Sequence, residues 1–127
     1  MSNLPLDGRS IIVTGAAQGI GAAYARALAA AGARVTACDL SVPEQTVSAI
    51  TATGAEALGL ACDITDAAAV GDLVSRTVGK FGGVQGLVNN AALFSALPVQ
   101  RFELTTSEEF DRVMRVNVRG SFECIKA

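Results

Sequence analysis

The stretch Thr14-Gly15-Ala16-Ala17-Gln18-Gly19-Ile20-Gly21 follows the apolar run Ile11-Ile12-Val13 and leads into an alanine-dominated segment that lasts to Ala31. The apolar run, within Arg9 to Thr14, suits a strand buried on both faces. The alanine segment suits a helix from about Gly19 that stops at Gly32, where glycine takes the left-handed cap cheaply. Strand, glycine-rich turn and helix in that order put the first helix amides, and the positive end of the helix dipole, where they can hold a pyrophosphate. Gly15 then serves the sharp turn, Gly19 the close approach of phosphate to backbone, and Gly21 the packing of helix on strand.

The same alternation continues outward from this turn. Arg34 to Cys38 reads as a second strand ending at Asp39, and Ser41 with Glu44 has capping-box spacing around Pro43, opening a helix that ends at Gly54. Ala57 to Cys62 is a third strand, and Asp66 to Lys80 a third helix stopped near Gly82-Gly83. Val84 to Asn89 is a fourth strand; after a loop with Pro98, Thr106 and Glu109 form a second capping box that opens a last helix. Three βα units of crossover length predict an α/β fold with a parallel sheet covered by helices on both faces. The expected architecture is a three-layer, Rossmann-like, doubly wound sheet whose inferred strand order is 3-2-1-4. One domain is expected over residues 1–127. Phe110, Val113, Met114, Val118, Ser121 and Ile125 follow helical spacing, with Arg112, Arg115 and Arg119 mostly on other faces. No capping residue follows Ile125, so the helix reads as cut and the domain as incomplete.

Composition removes other classes. Half of the residues are hydrophobic and 17% are charged, which excludes a disordered chain. The net charge is −2 with the two signs interspersed, so neither nucleic acid nor an anionic membrane is an expected partner. The longest uncharged stretch, Phe81 to Gln100, contains Gln85, Asn89, Asn90 and Pro98 and does not read as a membrane helix. Asp7 and Arg9 stand where the apolar part of a signal peptide would build, so the reading is a soluble, cytoplasmic protein. Cys38, Cys62 and Cys124 form no CxxC pair, and there is no histidine, so no metal site is expected. Cys38 and Cys62, each in an Ala-Cys-Asp triplet, read as small buried strand residues.

Three acidic or amide positions carry chemistry. A carboxylate at Asp39 can accept hydrogen bonds from ribose hydroxyls and would repel a 2′-phosphate. Neither Leu40, Ser41 nor Gln18 brings a compensating positive charge, so NAD is favoured over NADP. Capping of the following turn is the alternative role for Asp39. Asp63 ends the third strand as Asp39 ends the second, and both face the crevice outside the carboxyl ends of the strands; a cap beside Thr65 and Asp66 is its alternative. Asn117 lies on the apolar side of the last helix between Val113 and Ser121, where a buried amide needs partners.

The pattern Thr14-Gly-x-x-x-Gly19-x-Gly21, then Asp39, Asp63-Ile64, Asn89-Asn90-Ala91-Ala92 and Asn117, resembles the short-chain dehydrogenase/reductase family over essentially the whole chain. The resemblance implies that Thr14, Gly15, Gln18, Gly19, Ile20 and Gly21 hold the pyrophosphate. Asp39, with Leu40 beside it, would take the adenosine ribose, and Asp63 and Ile64 the adenine. Asn90, Ala91 and Ala92 would lie along the cofactor, Ala92 standing where the family has glycine. Asn117 would be the asparagine of the family's catalytic tetrad, in which a tyrosine is acid or base, a lysine four residues later lowers its pKa and a serine orients the substrate. Here the one tyrosine is Tyr24, with Leu28 four residues on, and the lysines are Lys80 and Lys126. The expectation is therefore an NAD-dependent oxidoreductase represented by its cofactor-binding half and inactive alone. The alternative is a non-catalytic dinucleotide-binding or interaction module. Either would self-associate, through the last helix or the fourth-strand edge at Leu87 and Val88. Phe94, Leu97 and Phe102 suggest only an apolar wall, and the substrate is not legible.

Overall fold

The computed structural model describes residues 3–127. Its elements in chain order are β1 (Ser10–Thr14), α1 (Gly19–Ala30), β2 (Arg34–Asp39), α2 (Glu44–Thr51), β3 (Ala57–Ala61), α3 (Ala67–Phe81) and β4 (Gly86–Val88). A 3-10 turn (Phe102–Leu104), α4 (Ser107–Met114), a π-helical segment (Arg115–Gly120) and α5 (Ser121–Lys126) follow. The sheet order is β3-β2-β1-β4 and every pairing is parallel, as the alternation of strands and helices predicts.

Alternate residues of β1 serve the two faces of the sheet. Ile11 and Val13 pack with Ala25 and Ala29 of α1 and Ile50 of α2. Ile12 turns to the other face, into a cluster with Cys38, Leu60, Val70 and Leu73 of α3, and Cys124 of α5. Both faces are thus covered, which is why Ile11-Ile12-Val13 reads as a continuous apolar run. The small side chains of α1 let that helix sit close on the sheet, and Val13, Val35 and Ala25 have no exposed surface at all. Each fully buried valine of this kind contributes about 1.5–3 kcal/mol.

Helix ends follow local chemistry at three points. Asp66 accepts the N–H groups of Ala68 and Ala69 and so stands as the cap, with α3 beginning one residue later. Gly82 closes α3 in the left-handed region at φ 85°. Thr106 and Glu109 form the reciprocal capping box that opens α4.

Two expectations need correction. The Ser41–Glu44 box does not form: Pro43 is the N-cap residue of α2 and makes no side-chain cap bond. A box needs its acid at the third helical position, and Glu44 is the first, so its side chain cannot reach back; the third position is Thr46. The last helix is not one regular α-helix either, because its middle widens into the π-helical segment. The side chains read as one apolar face are not buried there, Val113 and Ser121 being only half-buried. Phe110, Met114, Val118 and Ile125 are exposed, together with Phe122, while Gly120 and Cys124 turn inward. Gly120 lies against Ile64, and a Cβ there would come within 2.6 Å of its Cδ1. Among the described residues no helix is long and apolar enough to cross a membrane.

Candidate functional site

The carboxyl ends of all four strands open onto one crevice of about 600 Å³. From the turn after β1 it is lined by Gly15, Gln18, Gly19, Ile20 and Gly21. Asp39 and Leu40 come from the end of β2, and Asp63 and Ile64 from the loop after β3. Asn90, Ala91 and Ala92 close it after β4. These residues, scattered over the sequence, meet because a parallel sheet brings every βα connection to the same edge.

Thr14 is the exception at the turn. It is fully buried and lies outside the lining. Its hydroxyl oxygen accepts the N–H of Asn90 at 3.1 Å and of Ala91 at 3.0 Å, and its O–H faces the Val88 carbonyl at 3.4 Å. Asn90 returns the contact by donating from Nδ2 to the Gly15 carbonyl at 3.1 Å. Thr14 and Asn90 therefore rivet the glycine turn to the end of β4.

The glycines work differently from one another. Gly19 has φ 57°, and a Cβ there would meet nothing, so its space is open to a ligand. Gly21 is crowded instead, but by the turn rather than the strand: a Cβ would collide with the Gly15 carbonyl oxygen and come within 2.5 Å of Asn90 Nδ2. The close packing expected at this position thus joins the helix start to its own turn.

Asp39 accepts the Ala17 N–H through Oδ2 at 3.0 Å and the Leu40 N–H through Oδ1 at 2.8 Å. The turn-capping role is real, yet it does not exhaust the group, since a carboxylate has about four acceptor positions. Asp63 Oδ1 accepts both the N–H of Thr65 at 2.9 Å and its hydroxyl at 2.7 Å. Those two bonds favour the ionised form and hold the Asp63 carboxyl below the usual range. Among the described residues Oδ2 of Asp63 has no partner.

Asn117 also lies outside the crevice lining. Its Oδ1 accepts the Leu93 N–H at 2.6 Å and its Nδ2 donates to the Leu93 carbonyl at 3.1 Å. The amide thereby satisfies itself on the backbone of the loop after β4 and fixes that loop to the π-helical segment.

Some lining residues escape a reading of the sequence. Arg112 and Arg115 stand on the rim, with Leu93 and Val116. Helical spacing assigns the two arginines to a polar face without saying what that face meets. Cys38 and Cys62 form part of the wall. Both thiols are buried, and burial, then the neighbouring Cys124 thiol, push Cys62 up to about 11, which disfavours the thiolate that nucleophilic chemistry needs.

Comparison with known proteins agrees with this arrangement. The family model described as short chain dehydrogenase matches residues 9–127. The chain is 38% identical over 122 residues to galactitol 2-dehydrogenase of Agrobacterium fabrum, an alignment covering 96% of this chain and 46% of the relative. It is 36% identical over 122 residues to sorbitol dehydrogenase of Cereibacter sphaeroides, with the same 96% and 46% coverage. The crystal structure of a short chain dehydrogenase from Mycobacterium avium superposes with a TM-score of 0.88 at 37% identity, over 95% of this chain and 44% of that one. The chain spans about half the length of the curated relatives it matches. With the sheet order, the glycine turn and the match over nearly all its length in agreement, the chain belongs to the short-chain dehydrogenase/reductase family.

Proposed function

We propose that this chain is the NAD-binding half of an oxidoreductase that moves a hydride between nicotinamide and an alcohol or carbonyl substrate. The observation that carries the reading is the meeting of the open Gly19 position with the Asp39 carboxylate at one end of a single crevice. The Gln18 side chain makes no cap bond to the start of α1, so the first-turn amides there are left for a ligand's phosphates. Asp39 keeps acceptor capacity for two ribose hydroxyls, and its charge opposes a 2′-phosphate, which favours NAD over NADP. Ile64 supplies an apolar wall for adenine and Asp63 an acceptor beside it. Nicotinamide, when bound, would supply or accept the hydride. Asn117 holds the Leu93 loop along the crevice.

Tyr24 is 49% exposed on α1 and does not line the crevice, and Leu28 follows it by four residues. We assign the acid–base pair to the half that the longer relatives have and this chain does not match, so that the chain alone is inactive. Galactitol and sorbitol dehydrogenases among the relatives favour a polyol or related secondary alcohol as substrate class. The exposed stripe of Phe110, Met114, Val118, Phe122 and Ile125 favours self-association as well.

Calorimetric titration with NAD and NADP tests the reading. Wild type is expected to prefer NAD by at least about tenfold, a difference near 1.4 kcal/mol, and Asp39→Ala to lose that preference. Absence of any dinucleotide binding by wild type defeats the assignment.

A further inference from the structure

One contact reaches the glycine turn from behind the crevice. Thr46, the third residue of α2, is 2% exposed, and its hydroxyl donates to the Ala16 carbonyl at 2.6 Å across 30 residues of sequence. The N–H of that same peptide group belongs to Ala17 and donates to Asp39 Oδ2 at 3.0 Å. One peptide unit is therefore gripped at both ends, its oxygen by α2 and its hydrogen by the end of β2. Because the unit is planar, holding its oxygen and its hydrogen removes rotation of the plane, the motion that would swing the following amides. The preceding unit is held too, since the Ala16 N–H donates to the Cys38 carbonyl at 3.0 Å.

We propose that Thr46 is a positioning residue for the pyrophosphate site: its hydroxyl, opposite the Asp39 carboxylate, sets the Ala16–Ala17 peptide so that the amides from Gln18 to Ile20 face the phosphates. The inference rests on the dinucleotide reading and adds a residue that never touches the ligand. It also links ribose and phosphate recognition, because the carboxylate that takes the sugar hydroxyls holds one end of the same peptide. A valine at this position matches threonine in shape but strands the Ala16 carbonyl, whose residue is fully buried.

The experiment compares wild type, Thr46→Val and Thr46→Ser. Amide hydrogen exchange without ligand is read at Ala17, with Val13 in the sheet as reference. ADP and adenosine are then titrated by chemical-shift perturbation. Thr46→Val is expected to lose protection at Ala17 but not at Val13. It should weaken ADP binding about three- to tenfold, the size of one lost hydrogen bond, while adenosine binding changes less than about twofold. Thr46→Ser, which keeps the hydroxyl, restores both. If Thr46→Val does not fold, Thr46→Ala replaces it with the same expected pattern. Unchanged Ala17 protection in the valine variant overturns the proposal, as does equal loss of ADP and adenosine. A wild type that binds no ADP overturns the dinucleotide reading instead, and the exchange result still decides whether Thr46 sets the turn.

Discussion

Asn117 and Leu93 are joined by two reciprocal hydrogen bonds, Leu93 N–H to Asn117 Oδ1 at 2.6 Å and Asn117 Nδ2 to the Leu93 carbonyl at 3.1 Å. Through this pair the wide turn of the last helix and the loop after β4 are tied together, Leu93 and Asn117 both being half-buried. Asn117→Ala removes both partners from the Leu93 peptide groups and should cost about 1–3 kcal/mol. Urea unfolding measures this, and exchange at the Leu93 amide should rise at the same time. Unchanged stability would mean that solvent replaces the side chain at no cost.

The two glycines Gly21 and Gly79 should respond to alanine in opposite directions. At Gly21 the added Cβ meets the Gly15 carbonyl, so Gly21→Ala must push the turn away from the helix, at about 1–3 kcal/mol. Gly79 lies exposed within α3 with nothing near its would-be Cβ. There Gly79→Ala removes backbone freedom from the unfolded chain and should stabilise by about 0.5–1 kcal/mol. Thermal unfolding of both variants settles the signs. Two changes of the same sign would contradict the packing described at the turn.

What was legible in the sequence was whatever depends on neighbours along the chain. The run Ile11-Ile12-Val13, the glycine turn, the Gly82 stop and the Thr106–Glu109 box all rest on patterns within a few residues, and the parallel pairing of the strands followed from crossover lengths, whereas Asp66, read as the first helical residue, is the cap. The Ser41–Glu44 box failed on a matter of register, since Pro43 moves the helix start and leaves Glu44 in the first position. The π-helical segment was out of reach because what accompanies it is distant: Leu93 on Asn117 and Ile64 on Gly120. For the same reason spacing showed that Arg112 and Arg115 share a face but not that the face overlooks the crevice. Thr14 joins the pyrophosphate residues only through the family resemblance; no local pattern shows that its hydroxyl accepts the Asn90 and Ala91 amides.

Asp63 gives the fold an acid-side dependence. Its bonds from Thr65 lower the carboxyl's folded-state pKa below the ordinary 3.8. The stabilisation is therefore present above that value and is lost as pH falls through the folded pKa. Asp63 is exposed, so the effect is small and weakens with salt. Urea midpoints of wild type and Asp63→Asn should differ by a constant amount from about pH 7 to 5 and converge as pH falls below about 4. A difference that persists to pH 2 would assign the Thr65 bonds no preference for the charged form.

The thiols should govern the alkaline side. Burial raises Cys38, and burial with Cys124 and Asp63 nearby raises Cys62 from 9.0 to about 11. At about pH 8 a disulfide reagent such as Ellman's should leave the folded chain unmodified and titrate all three cysteines, Cys38, Cys62 and Cys124, once urea unfolds it. Because the folded state keeps the Cys62 proton longer than the unfolded chain does, its stabilisation is full below pH 9.0 and is lost as pH rises towards about 11. Cys62→Ala removes that linkage, so the wild-type urea midpoint should fall more steeply than the variant's across this window. Equal slopes, or rapid thiol labelling of the folded protein, would show that the wall of the crevice opens to solvent at β2 and β3.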